Sequence, residues 1–202
     1  MAPTGRLIPL LQEVRACRLC EAHLPHGPRP VVQAAESARL LIIGQAPGRK
    51  VHDTGIPWND ASGRRLRHWL GMDADVFYDP DRVAILPTGF CYPGKGRSGD
   101  LPPRPECAPR WHAPLRERLP QVRLTLLIGR HAQLFALRGR NRPTLTETVA
   151  AWRDYLPEFL PLPHPSPRNQ AWWPANPWFE RELLPELKRL VAEALQDNDV
   201  TP

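Results

Sequence analysis

The stretch LLIIGQAPG, from Leu40 to Gly48, decides the fold of this chain. Its first four residues are apolar, and so short a run is typical of a strand buried on both faces of a parallel sheet. The residues from Gly44 onward then form a turn that exposes backbone N–H groups at the carboxyl end of the strand. Ligands bind at that edge of open parallel sheets, so the stretch predicts either a binding turn or a tight loop without chemistry.

Further apolar runs predict three more strands, and helical segments separate them. The four strands are expected at 39–43, 83–86, 124–128 and 158–162. Helices are expected at about 8–16, 60–70, 109–119, 130–137, 144–155 and 176–195. The segments 49–59 and 89–109 are expected to be loops. Short strands that alternate with helices imply parallel pairing through right-handed crossovers, and therefore a three-layer α/β/α domain around a parallel sheet.

The composition is that of one compact, basic domain. A chain of 202 residues suits a single core, and we take 1–196 as that domain and 197–202 as a frayed tail. The 27 lysines and arginines against 21 aspartates and glutamates give a net charge of +6. This balance favours a polyanionic partner such as nucleic acid, although a merely solvated basic surface would look the same.

Neither a signal peptide nor a membrane span is indicated, because every apolar run is too short. We therefore expect a soluble, cytoplasmic protein that works as a monomer. Structural disulfides are rare in that compartment, so the cysteines need another explanation.

Four cysteines stand in loop-like sequence rich in proline and glycine: Cys17, Cys20, Cys91 and Cys107. The first pair has the spacing CxxC, and together the four indicate one shared metal site. Four thiolates suit either zinc or an iron–sulfur cluster. Four unconnected small buried residues are the alternative.

The motifs, in this order, resemble those of the uracil-DNA glycosylase superfamily, particularly its iron–sulfur branch, often called family 4. That branch has an early CxxC, a strand ending in GEAPG, a TGRPFVG-x-AG loop, two later cysteines and a late HPS motif. The matching stretches here are Cys17–Cys20, GQAPG at 44–48, TGIPWNDASG at 54–63, Cys91, Cys107 and HPS at 164–166. The longer HPSPRN at 164–169 is similar to that of the single-strand-selective uracil glycosylases.

This resemblance implies a four-stranded parallel sheet between helices, a 4Fe–4S cluster on the four cysteines rather than zinc, and removal of a deaminated base from DNA. The base must leave the stack and enter a pocket. Trp58 matches an aromatic residue that stacks on the base, and His164 matches a histidine that donates to the base carbonyl as negative charge develops. A core or lid tryptophan and a histidine satisfied by a loop carbonyl are the structural alternatives.

The turn after the first strand departs from the family pattern. Gly44, Gln45 and Ala46 lie where relatives hold the base and its water. Gln45 replaces the glutamate of the branch, and an amide cannot act as a general base; Ala46 stands where some relatives have aspartate. Three other residues could orient water: His52, Asp53 and Asp60. These departures keep open the alternative of a non-catalytic or regulatory nucleic-acid-binding protein on the same fold.

The residues that read the base and the DNA are also implied by the resemblance. The base-reading asparagine of the branch corresponds to Pro87, which has no donor, and Thr88 beside it offers a single hydroxyl. We therefore expect weaker and broader base recognition. In the HPSPRN loop, Ser166, Arg168 and Asn169 are the candidates for DNA contacts, with Arg168 as the wedge that enters the minor groove.

Overall fold

A sheet of four parallel strands lies at the centre of the computed structural model, which describes residues 7–196. The strands are β1 (Leu40–Ile43), β2 (Val83–Ile85), β3 (Leu124–Ile128) and β4 (Phe159–Leu162). Their order across the sheet is β2-β1-β3-β4, and each neighbouring pair is parallel. The parallel sheet expected from the sequence is confirmed, whereas the tail at 197–202 lies outside the described residues.

Helices connect the strands and cover both faces of the sheet. The α-helices are α1 (Leu7–Arg15), α2 (Arg49–Thr54), α3 (Ala61–Leu70), α4 (Ala74–Tyr78), α5 (Cys107–Arg116), α6 (Gly129–Leu137), α7 (Leu145–Ala150), α8 (Trp172–Ala175) and α9 (Leu184–Leu195). Single turns of 3-10 helix lie at Glu21–His23, Trp152–Tyr155 and Pro167–Asn169, and a π-helical turn lies at Phe179–Leu183. In the described residues, no helix combines the length and apolar character that a bilayer crossing needs.

Two separate cores form because alternate residues of each strand face opposite layers. Leu41 and Ile43 pack with side chains of α1, α5 and α6 on one face. Leu40 and Ile42 pack with side chains of α3, α7 and α9 on the other. All four are at most 1% exposed, which is the burial that an uninterrupted apolar run predicts. The three-layer α/β/α architecture is therefore confirmed.

Two short helices were not predicted from the sequence. The expected loop at 49–59 begins with α2, which ends at Gly55 in a left-handed conformation (φ 74°), as is common after a helix. The segment before β2 contains α4, and the side chain of Asp73 caps it by accepting from the backbone N–H of Val76 at 2.9 Å. Helices of five or six residues carry too little periodicity to be recognised in a sequence.

Two expected long helices are each divided. The helix expected over 144–155 starts with the predicted capping box, in which Thr144 and Glu147 bond reciprocally, but α7 ends at Ala150 and a 3-10 turn follows. The helix expected over 176–195 is a π-helical turn followed by α9, whose first turn contains Pro185. Proline at that position suits a helix start because no intrahelical N–H is lost.

His112 of α5 connects a helix to the end of β2. It is 1% exposed, and its Nε2 lies 3.0 Å from the carbonyl oxygen of Pro87, to which it donates as the neutral tautomer. Burial lowers the pKa of His112 to about 4, an effect that the bond to Pro87 only partly opposes. The imidazole is therefore neutral in the folded protein at neutral pH.

We expect the free energy of unfolding to fall as the pH drops from 6.5 towards 4. In that range the unfolded chain binds a proton at His112 and the folded chain does not, so stability rises with pH. The pKa of His112 is 6.5 in the unfolded chain and about 4 in the folded one. This difference lowers the free energy of unfolding by about 3 kcal/mol once the pH lies below both values. The substitution His112→Gln keeps a donor for Pro87 and should flatten this part of the profile in urea titrations at fixed pH. An equally steep profile in the variant would contradict the assignment.

Candidate functional site

A cleft of about 530 Å³ opens at the carboxyl edge of the sheet. It is lined by the turn at 44–48, Pro87, Trp58, Asp60, the segment 98–100 and the loop residues His164, Ser166, Pro167 and Arg168. The GQAPG and HPSPRN loops, which follow β1 and β4, therefore meet at one edge as the topology requires. This is the edge at which open parallel sheets bind ligands.

Trp58 forms one wall of the cleft and has a left-handed backbone (φ 54°). Two glycines make room for it: a Cβ at position 44 would lie 3.0 Å from Cζ2 of Trp58, and one at position 63 would lie 1.7 Å from its carbonyl oxygen. A left-handed conformation costs a bulky residue about 1–2 kcal/mol. The surrounding packing therefore holds the indole in place against that cost.

His164 faces Trp58 across the cleft, with their ring centroids 5.6 Å apart. Asn169 holds the loop by donating from Nδ2 to the His164 carbonyl oxygen at 2.7 Å. Among residues 7–196, the ring nitrogens of His164 have no hydrogen-bond partner, so a loop carbonyl does not satisfy them. Burial lowers the pKa of His164, and the carboxylate of Asp60 opposes the shift. A neutral imidazole with an available N–H therefore stands in the cleft.

Thr88 is buried beneath the turn and does not line the cleft. Its backbone N–H donates to the carbonyl oxygen of Gly44 at 2.9 Å, and its hydroxyl donates to that of Gln45 at 2.6 Å. The hydroxyl hydrogen is thus used by the backbone, whereas neighbouring Pro87 reaches the cleft surface. In this position Thr88 fixes the turn, and its expected contact with a base stays a prediction.

Gln45 and Ala46 both line the cleft, as expected for the turn. The side chain of Gln45 has a hydrogen-bond partner: its Nε2 donates to the carbonyl oxygen of Leu101 at 3.2 Å. Ala46 contributes a methyl group and a backbone amide. The turn itself therefore carries no acid or base that could activate water.

Of the three residues expected to orient water, the structure brings only Asp60 to the cleft. His52 is buried in α2 against Tyr92, with ring centroids 5.9 Å apart, and burial lowers its pKa. Asp53 is exposed and pairs with Arg49 at 2.9 Å. Neither His52 nor Asp53 lines the cleft.

Two carboxylates lie in the cleft, and sequence reasoning missed one of them. Asp60 caps α3, because its Oδ1 accepts from the backbone N–H of Gly63 at 2.8 Å. The missed residue is Asp100, which lies on a hairpin at 94–101 where Lys95 and Asp100 pair antiparallel. The glycines of that segment predict a turn, but nothing in the sequence places the turn at the edge of the sheet.

The three DNA-binding candidates of the HPSPRN loop have different surroundings. Ser166 caps the short 3-10 turn, its Oγ accepting from the N–H of Arg168 at 3.2 Å, and both residues line the cleft. The guanidinium of Arg168 lies across the mouth of the cleft, with Nη1 3.5 Å from the carbonyl oxygen of Ser98. Asn169 does not line the cleft and instead holds the backbone of His164 by donating to its carbonyl oxygen.

The four cysteines converge on one small enclosed pocket, which is lined otherwise mainly by apolar residues. All four are free thiols: Cys17, Cys20, Cys91 and Cys107. Burial is the main reason why the pKa of Cys91 is raised to about 12 and that of Cys20 to about 11. Among the described side chains, no group of three or more His, Cys, Asp or Glu has an arrangement that could hold a metal ion. The donor set itself, four free thiols around one pocket, has the chemistry of iron–sulfur and zinc sites.

Comparison with known proteins relates the chain to one family. The family model of the uracil DNA glycosylase superfamily matches residues 31–188. The chain is similar to the Type-4 uracil-DNA glycosylase of Sulfurisphaera tokodaii, with 22% identity over 188 residues that cover 89% of this chain and 80% of that protein. It also resembles the NMR structure of a candidate uracil DNA glycosylase from Methanosarcina acetivorans, with a TM-score of 0.45, 19% identity, and coverage of 80% of this chain and 98% of that one.

Proposed function

Because the chain belongs to the uracil-DNA glycosylase superfamily, we propose that it is a monofunctional DNA glycosylase that hydrolyses the N-glycosidic bond of uracil or a related deaminated base. The observation that carries the proposal is the pairing of Trp58 with His164 across the cleft, 5.6 Å between ring centroids. An aromatic surface beside a neutral donor is what a pocket for an extruded base needs.

The proposed reaction breaks the bond between the sugar C1′ and the base nitrogen. The electron pair of that bond moves onto the base, and negative charge develops on its carbonyl oxygen. An N–H of His164 that points at this oxygen stabilises the transition state, and one such donor contributes about 3 kcal/mol. Trp58 stacks on the extruded base, while water adds to C1′ and completes the hydrolysis.

The cofactor of the proposal is a 4Fe–4S cluster on the cysteine pocket, with zinc as the alternative. Its ligands would be Cys17, Cys20, Cys91 and Cys107. A cluster there would act as a cross-link between the segment after α1 and the start of α5. The four free thiols around one pocket support this assignment.

The proposed partner is DNA, which the net charge of +6 supports. Arg168 at the mouth of the cleft is the candidate wedge, and Lys95 and Arg97 on the neighbouring hairpin are exposed candidates for phosphate contacts. Action as a monomer in the cytoplasm stays a prediction of the sequence.

A base-excision assay tests the proposed function. Protein purified without oxygen is incubated with single- and double-stranded oligonucleotides that carry uracil, hypoxanthine or xanthine, and abasic sites are detected on gels. We expect abasic sites, and comparable rates on more than one base because Pro87 supplies no donor for reading the base edge. Binding of every oligonucleotide without excision would favour the non-catalytic alternative. Fast excision of uracil alone would contradict the broad base recognition but not the activity.

A further inference from the structure

We propose that Asp100 is the catalytic residue that binds the hydrolytic water and accepts its proton. The inference rests on the proposed glycosylase function and adds to it the group that the turn after β1 lacks. It is carried by the position of Asp100 in the cleft, by the bond that holds its hairpin there, and by the surroundings of the other acids.

The other candidate acids and bases are partly engaged or lie outside the cleft. His52 and Asp53 lie outside the cleft, and Asp53 is engaged in an ion pair. Asp60 uses one carboxylate oxygen to cap α3 and acts electrostatically on His164. Within residues 7–196, the carboxylate of Asp100 makes no ion pair with a basic side chain, and the residue lines the cleft.

Asp100 lies against the turn at 44–48. A Cβ at position 48 would lie 3.5 Å from Oδ2 of Asp100, which places the carboxylate next to Gly48. The phenol of Tyr92 lies close enough to this carboxylate to donate a hydrogen bond to it.

The amide at Gln45 explains how Asp100 is kept in the cleft. Its Nε2 donates to the carbonyl oxygen of Leu101, the residue after Asp100. An ionised glutamate has no hydrogen to donate and could not make this bond. The hairpin is closed by the N–H of Leu101, which donates to Gly94 at 2.9 Å, and by that of Gly96, which donates to Gly99 at 2.6 Å. The turn lacks a carboxylate, and the hairpin that Gln45 holds in place supplies one from Asp100.

The step balances without a further reactant. The C1′–N bond breaks with its electron pair going to the base, and the water oxygen forms a bond to C1′. One proton of the water passes to the carboxylate of Asp100 and is later released to solvent or to the departing base, which gains one proton overall. Proton acceptance by a positioned side chain typically accelerates such a step by about 10²–10⁴-fold.

Single-turnover excision by the full-length protein tests the role of Asp100. We expect Asp100→Asn to slow excision by about a hundredfold, with the Kd for substrate DNA within a few-fold of the parent. Asp100→Ala should be slow as well, but added formate should partly restore its rate because a small carboxylate can occupy the space. Formate should not restore His164→Ala. Asp75→Asn, an exposed carboxylate on α4, is the matched control and should match the parent.

The outcomes separate this inference from the proposed function. An active parent together with an Asp100→Asn variant within threefold of its rate would overturn only the role of Asp100. A slow Asp100→Ala variant that formate does not accelerate would assign Asp100 a structural role and overturn the inference too. A parent without any excision would overturn the glycosylase function and the role of Asp100 with it.

Discussion

Replacement of His164 by alanine should slow base excision by on the order of a hundredfold or more, as expected for the loss of one preorganised donor to a developing oxyanion. We expect this loss because the neutral imidazole stands in the cleft with ring nitrogens that have no hydrogen-bond partner within residues 7–196, so an N–H is available to the base. Single-turnover kinetics measure this step without product release. Binding to substrate DNA, measured by fluorescence anisotropy, should change little.

His68→Ala is the matched control, because His68 is an exposed histidine on α3. It should excise at the rate of the parent. The structural alternative predicts a different pattern for His164→Ala: a rate within a few-fold of the parent and a lower melting temperature. That pattern would make His164 a loop residue without a chemical role.

Replacement of Cys107 by alanine should remove the iron–sulfur cluster and destabilise the fold. Parent protein purified without oxygen should absorb broadly in the visible range and contain about four irons per chain, as thiolate-bound 4Fe–4S clusters do. A cofactor whose free concentration is a thousandfold above its Kd stabilises the folded protein by about 4 kcal/mol. For a chain of this size that corresponds to a fall in melting temperature on the order of 10 °C. Metal analysis and thermal unfolding measure the two effects.

Arg97→Ala serves as the control for this prediction, since it alters an exposed residue on the hairpin before α5 and should keep iron content and stability. Stoichiometric zinc without iron in the parent would contradict the cluster and favour the zinc alternative. Iron that remains bound after substitution of Cys107 would remove that residue from the ligand set.

The strongest local signals predicted the centre of the fold. The run from Leu40 to Ile43 predicted a strand buried on both faces, and the structure buries it in two cores. The loops after β1 and β4 meet at one edge because parallel strands end on the same side. Trp58 and His164 lie in the same cleft, with ring centroids 5.6 Å apart, and their roles stay predictions.

The water-orienting residues could not be placed in the same way, because their positions depend on elements with weak signals. The segment at 49–54 is a helix, so consecutive side chains diverge by about 100°. Val51 lines the cleft, while His52 turns to Tyr92 and Asp53 to Arg49. Asp100 reaches the cleft through a tertiary hydrogen bond whose partners are 56 residues apart, and no local pattern reports such a bond.

The strained backbone at Trp58 affects how the protein would bind a base. Its left-handed conformation is present before any DNA arrives, and the missing Cβ at Gly63 leaves room for the Trp58 carbonyl oxygen. Immobilising a side chain at an interface costs about 0.5–1.5 kcal/mol when it happens on binding. Here the indole already packs beside Gly44 in the free protein, so part of this cost belongs to the folding equilibrium. If Trp58 stacks on the base as proposed, its surface is preorganised, and the binding energy of an extruded base is available for its unstacking from the duplex.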